Sequence, residues 1–289
     1  MIKSSELIIN KDGSIFHLHL KPENIADDIL LVGDPGRVEL VASNFDSIEC
    51  KISNREFMTI TGVYNGKRIT VLSTGIGTDN IDIVVNELDA LVNIDLETRT
   101  EKAEKRKLNL IRIGTSGGLQ TYLPVNSYVV SRKSIGFDGL LNYYAKRDEV
   151  GDLDFEKAFV EHTEWLPQLP APYVMDCSNV LYDRISGEDT FEGVTISAPG
   201  FYGPQGRKLR LDLADPQLNN KVEAFSFNEL KITNFEMESS ALYGLSKLLG
   251  HHALCICLII ANRVVKEANE SYHEYMKKLI KLVLDRLTA

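Results

Sequence analysis

The 289-residue chain is 44% hydrophobic and 25% charged, the balance of a soluble globular protein able to bury a core without disulfides. Its 32 basic and 41 acidic residues leave a net charge of −9, which argues against nucleic acid as its main partner but not against a local anion site where arginines converge. No stretch nears the roughly 20 apolar residues of a membrane span, the N-terminus lacks a signal-peptide core, and the four cysteines show neither a CxxC nor a zinc spacing, so a cytoplasmic setting is expected.

Phe16-His17-Leu18-His19-Leu20 alternates apolar and polar residues and reads as an exposed edge strand with both histidines on one face. Residues 29–33 form a short buried strand, followed by Asp34-Pro-Gly-Arg37 and a helix over 38–42. Ser53-Asn-Arg55-Glu-Phe sets an arginine just before a strand. Residues 57–64 and 67–73 form a hairpin around Asn65-Gly66, a dipeptide that tolerates the positive φ of a two-residue turn. Ile81, Val84, Val85, Leu88, Leu91 and Val92 have helical spacing. Residues 95–107 interleave charges of both signs, as a solvated helix end or surface excursion does.

Further strands are expected around 110–113, 127–130, 193–197, 230–234 and 254–260, and helices over 154–164, 239–249 and 272–287. Cys255 and Cys257 read as core thiols, and His251 and His252 as surface or capping residues. Pro167, Pro170 and Pro172 mark a loop, and there is no internal repeat. Strands alternating with helices predict one α/β domain, residues 1–289, with a parallel or mixed sheet.

Four segments carry groups suited to chemistry. In Arg112-Ile-Gly-Thr-Ser-Gly-Gly118, an apolar run delivers a guanidinium fork to a strand end. Thr115, Ser116 and the glycines then read as a loop whose hydroxyls and amides approach an oxyanion. Gly33-Asp-Pro-Gly-Arg37 suits a second anion element at a helix N-terminus; taken alone a plain strand-to-helix turn explains it better, and beside Arg112 and Thr115 the anion reading overtakes it. Phe201-Tyr-Gly-Pro-Gln205-Gly-Arg207 combines aromatics for a flat ring with an amide and an arginine suited to a uracil-like edge; an incidental Gly/Pro loop is the alternative. In Phe235-Glu236-Met237-Glu238-Ser-Ser-Ala241 one glutamate can orient sugar hydroxyls while the other is structural, and Glu238 also reads as a first-turn helix acid.

GDPGR, SNREF, STGIG, IRIGTSGG, GPQGR, FEMESSALYG and a closing ANR occur in this order, and together they resemble nucleoside phosphorylase-I proteins, in particular the uridine phosphorylase branch. The resemblance runs from His17 to about Arg263. It implies a central mixed, distorted barrel-like β-sheet flanked by helices. It implies a phosphate site of Gly33, Arg37, Arg112 and Thr115, with Arg55 supplied by a neighbouring subunit. Thr115, Met237 and Glu238 would hold the ribose, with the neighbour's His17 near the 5′-hydroxyl. Phe201, Gln205 and Arg207 would hold the base, with Arg263 close by, and the catalytic roles would fall to Arg112, Glu238 and Arg207.

The implied reaction is reversible phosphorolysis of uridine, with deoxyuridine and thymidine as further candidates, to uracil and α-ribose-1-phosphate in pyrimidine salvage. Phosphate is a co-substrate and no cofactor is expected. Purine-specific relatives carry an aspartate after the strand that here ends at Ala261, where this chain has Asn262-Arg263. A purine nucleoside phosphorylase, a hydrolytic nucleosidase of the same fold and a non-catalytic nucleoside-binding protein remain the alternatives. A dinucleotide site is poorly supported, because no GxGxxG follows the first strand. Some relatives hold a monovalent cation between subunits through an acid like Glu56 and residues near Ile76. Here Asn80 stands where serine is usual, and no metal is assigned. A homodimer with shared sites is expected, a hexamer of such dimers being the alternative.

Overall fold

In the computed structural model, which describes residues 1–289, the sheet begins with β1 (Asp28–Val32), five consecutive buried residues of the kind a strand covered on both faces needs. Asp34 caps α1 (Pro35–Ala42) by accepting from the Gly36 amide at 3.2 Å. β2 (Ser47–Asn54), β3 (Phe57–Tyr64) and β4 (Lys67–Ser73) make an antiparallel meander, and Asn65 (φ 49°) and Gly66 (φ 74°) supply the left-handed pair of the expected hairpin turn. α2 (Thr78–Asn93) buries the apolar stripe that its spacing predicts. Residues 95–107 form the surface excursion and not a helix end: β5 (Ile94–Asp95) pairs with β6 (Thr100–Glu101), and Lys105 reaches Glu101 at 2.7 Å.

The centre is built from β7 (Asn109–Gly118) and β8 (Tyr128–Gly136), then α3 (Arg147–Val150) and α4 (Leu153–Thr163), and then β9 (Tyr173–Asp176) and α5 (Asn179–Ile185). β10 (Phe191–Ser197), α6 (Leu218–Ala224), β11 (Ser226–Phe227) and β12 (Leu230–Glu236) follow. α7 (Ser239–Leu249), β13 (His252–Asn262), β14 (Glu267–Ala268) and α8 (His273–Thr288) complete the chain.

β7 pairs with β13, β13 with β8, β8 with β10 and β10 with β12. β12 returns antiparallel to β7 through Asn234↔Gly118 and Phe235↔Gly117, which closes a mixed, barrel-like ring. β1 leaves this ring at β7 and carries β4, β3 and β2 outward. A large aliphatic core joins α2, α7 and α8 to the sheet. A second, aromatic core under α4 and α6 packs Phe155, Phe159 and Phe225 edge to face. No helix is long and apolar enough to cross a membrane.

Two local expectations fail for long-range reasons. Residues 16–20 form a turn, not a strand. Glu87 on α2 accepts the amides of His17 (3.0 Å) and Leu18 (2.8 Å), and His19 takes φ 57°. His251 is buried, not at the surface. Its Nδ1 accepts the Leu108 amide at 3.2 Å, and its Nε2 lies 3.1 Å from Asp89, contributed by α2.

Candidate active site

The predicted loop 114–118 is the second half of β7. Small hydroxyl and glycine residues mimic a turn, but here they run extended between two partners. Ile113–Gly118 pairs with β13, and Gly117 and Gly118 pair with β12 as well, so the segment is extended sheet and not a turn-shaped anion nest. Gly114 is there for room. A Cβ at this position would collide with Arg112 Nη1 and lie 3.0 Å from Cys257 Sγ.

β1 follows β7 only as far as Leu31↔Arg112, and β12 joins only at Gly117, so residues 113–116 have one open edge. A cleft of about 350 Å³ lies there, at the C-terminal ends of β1 and β12. Such a switch in strand pairing is where α/β sheets accept ligands.

At one end of the cleft stand Gly33, Asp34, Arg37, Arg112 and Thr115. Arg37 Nη1 donates to the Ile113 carbonyl at 3.4 Å, on the open edge of β7. Burial, and then the neighbouring Arg112, lower the pKa of Arg37. The α1 N-terminus offers less than expected, because the Asp34 carboxylate already takes the Gly36 amide.

Arg112 is buried, with Nη2 bound to Glu238 and Nη1 3.5 Å from Glu236. Burial works against its charge, but the two carboxylates outweigh burial and raise its pKa. Its Nε and Nη1 have no hydrogen-bond partner in the protein, nor has the buried hydroxyl of Ser116, another cleft-lining residue. Unspent donors on a buried guanidinium suit an oxyanion.

Another wall of the cleft is the turn from β12 into α7. Glu236 is fully committed to that turn, accepting from Ser197 Oγ (2.5 Å), Ser239 Oγ (2.6 Å) and the amides of Glu238 (2.9 Å) and Ser239 (3.0 Å). Glu238 accepts the Gly77 amide at 2.9 Å on one oxygen and Arg112 on the other. Its pKa is pushed up to about 7, by burial most of all and by Glu236, against the pull of Arg112. Met237 lines the cleft between them.

At the other end Gln205 is buried, and its Oε1 accepts from Arg207 (2.6 Å) and Arg263 (3.2 Å). Arg263 also donates to the Gln205 carbonyl and lies behind the cleft, not on its wall. Burial lowers the pKa of Arg207, while burial and then Arg207 bring Arg263 down to about 10. Arg207 lies 3.8 Å above the Phe201 ring and donates to the Phe201 carbonyl at 2.5 Å, so one face of Phe201, expected to be free for a base, carries a guanidinium. Ala261 lines the cleft. Asn262 turns away, donating to the carbonyls of Gln120 (2.8 Å) and Leu123 (2.7 Å). The acids of the cleft are Asp34, Glu236 and Glu238.

His17 and Arg55 do not line the cleft. Arg55 sits in the β2–β3 turn at φ 55°, with its guanidinium 5.8 Å from the centre of the Phe16 ring. His17 Nδ1 lies 2.6 Å from Glu87, and Asn54 holds the His17 carbonyl at 2.7 Å, so the two segments form one surface cluster. Sequence reasoning did not select Asp34, Phe235 or Ile260. Asp34 adjoins the chosen Gly33, whereas Phe235 and Ile260 are apolar strand residues, which carry no sign of which cavity they face.

A family model described as the phosphorylase superfamily matches residues 27–288. The uridine phosphorylase of Thermococcus kodakarensis is 30% identical over 272 residues, 91% of this chain and 83% of that protein. A DeoD-type purine nucleoside phosphorylase of Streptococcus suis is 27% identical over 278 residues, 94% of this chain and 98% of that protein. A Trypanosoma brucei nucleoside phosphorylase whose crystal structure shows uridine phosphorylase activity has a TM-score of 0.83 at 29% identity, covering 97% of this chain and 99% of its own.

Proposed function

Because the chain belongs to the phosphorylase superfamily, we propose that its cleft performs the reversible phosphorolysis of uridine. The observation that carries the base assignment is Gln205, whose amide is held by Arg207 and Arg263 at an end of the cleft with no carboxylate among its lining residues. A purine enzyme of this family needs an acid there, and Ala261 and Asn262 provide none.

In this reading Arg37, Arg112 and Thr115 hold phosphate, and Glu238 and Met237 fix the ribose so that C1′ faces the nucleophile. A phosphate oxygen bonds to C1′ as the C1′–N1 bond breaks, inverting the sugar to α-ribose-1-phosphate. The electron pair passes to uracil, where Arg207 and the Gln205 amide meet the developing charge. Phosphate is the second substrate, and the reaction so written draws on no cofactor. Water as nucleophile would leave Arg37 and the unspent donors of Arg112 without a task.

The decisive assay follows free base from uridine, thymidine, cytidine, inosine and adenosine, each with and without phosphate. Release from uridine only with phosphate is expected. Phosphate-independent release, or cleavage of inosine but not uridine, would refute the reading.

The same proposal has one domain of residues 1–289 working in the cytoplasm as a homodimer, with His17 and Arg55 completing the partner's site. Their partly exposed cluster, outside their own cleft, supports this. Mixing inactive Arg55→Ala and Arg112→Ala proteins should restore activity, because the mixed dimer holds one intact site. Failure to complement would exclude sharing.

A further inference from the structure

A second concavity, of about 290 Å³, opens on the far side of the turn that presents Gln205. Its walls include the tilted Phe137–Trp165 pair (centroids 4.6 Å apart), Leu166, Leu169, Pro199 and Pro204. The polar side chains around it are already engaged. Trp165 Nε1 donates to the Pro170 carbonyl at 3.0 Å, Asp212 pairs with Lys208 at 2.5 Å, and Asp215 pairs with Lys221 at 3.2 Å. A ligand would meet no free side-chain donor and no unpaired charge, so these walls select an uncharged apolar ring. An apolar cavity of roughly 150 Å³ accepts benzene, so this one has room for one or two fused rings.

The hollow and the cleft share structural parts. Gly203 and Pro204 face the hollow, and Gln205 faces the cleft. All three belong to one turn of 3-10 helix, closed by the Gly206 amide on the Gly203 carbonyl at 2.9 Å. Phe137 also meets the cleft-lining Phe235 edge to face, with centroids 6.5 Å apart. Anything pressing on Pro204 and Phe137 therefore presses on the groups assigned to the base.

We propose that this hollow is a second, non-catalytic site for a small uncharged aromatic molecule, and that filling it displaces Gln205 and changes base affinity while leaving the phosphate end alone. Only the consequence for the base rests on the uridine reading; the binding does not.

Trp165 is the only tryptophan in the chain, so its emission reports occupancy. Titrating the full-length protein with toluene should shift that emission saturably. Ala214→Phe, which puts a ring into the hollow from an exposed position, should abolish the shift and, by filling the hollow itself, leave KM for uridine insensitive to added toluene, with KM for phosphate at its wild-type value. In the wild type, saturating toluene should change KM for uridine by about threefold or more with KM for phosphate unmoved.

No saturable shift, or an undiminished one in Ala214→Phe, overturns the site. A shift without any change in uridine KM overturns the coupling. If uridine is not a substrate, the emission titration still decides the site on its own. If Ala214→Phe instead alters the sedimentation of the protein, the hollow is a contact between copies and the proposal falls.

Discussion

Gly114→Ala tests whether the small residues of β7 exist to seat Arg112. The new methyl would collide with Arg112 Nη1, and Cys257 Sγ, 3.0 Å away on the adjacent strand, closes the other direction. The guanidinium is the movable partner, so it retreats by roughly 1 Å to restore ordinary contact. That retreat withdraws Nη2 from Glu238 and shifts the unspent Nε and Nη1 donors.

Because a side-chain end yields and not the backbone, the stability cost should fall in the lower part of the overpacking range, about 1–2 kcal/mol. The functional cost should be larger, since an ångström of misplacement at a reacting centre costs about 100-fold. Steady-state phosphorolysis with varied phosphate, beside urea unfolding of the same protein, separates the two effects. A folded Gly114→Ala protein with kcat/KM for phosphate within about threefold of wild type would refute the argument.

Other consequences follow from the same geometry. Arg207→Ala should raise KM for uridine about tenfold or more while leaving KM for phosphate unchanged, because it removes a charged hydrogen-bond donor from the base end alone. Glu236→Ala strips an acceptor from two hydroxyls and two amides, and should lower stability by about 3 kcal/mol, seen as a fall of several degrees in a calorimetric Tm. In the proposed reading Glu238 accepts from ribose hydroxyls most strongly as the carboxylate, so kcat/KM for uridine should fall as pH drops below about 7, by up to about tenfold per unit, and Glu238→Gln should lose that limb. Stability moves the other way. The folded pKa of Glu238 lies above the ordinary 4.5, so its contribution is complete below 4.5 and is lost as pH rises through about 7, which thermal melts across that window would show.

The elements with strong local pattern were legible in the sequence. The α2 stripe, the Asn65-Gly66 hairpin and the apolar run of β13 each announced themselves. The pairing of Arg37 with Arg112 came from two anion-suited segments read together, whereas their meeting with Glu238 and Gln205 rested on the ordered motifs that resemble nucleoside phosphorylases. Residues 114–118 misled because glycine and serine advertise a turn, while their extended form is imposed by β12 and β13 from far along the chain. Residues 16–20 misled for the converse reason: a strand-like alternation is overruled by the Glu87 carboxylate, 70 residues away in sequence from the His17 amide it accepts. His251 is buried because Asp89 waits for it on α2. No local pattern contains a partner on another element.

The seam that closes the ring has a consequence for assembly order. Gly118 and Asn234 meet only after the intervening chain has been made, and the pair of rungs they begin carries the turn that bears Met237 and Glu238. An emerging chain can pair β1, β4 and β7, and so set Arg37 beside Arg112, well before Glu238 leaves the ribosome. Arg112 then waits in a half-built sheet without the carboxylates that later flank it. The cleft thus comes into being late, when a long-range loop closes, and a chain stopped short of β12 can hold one half of the site but not the other.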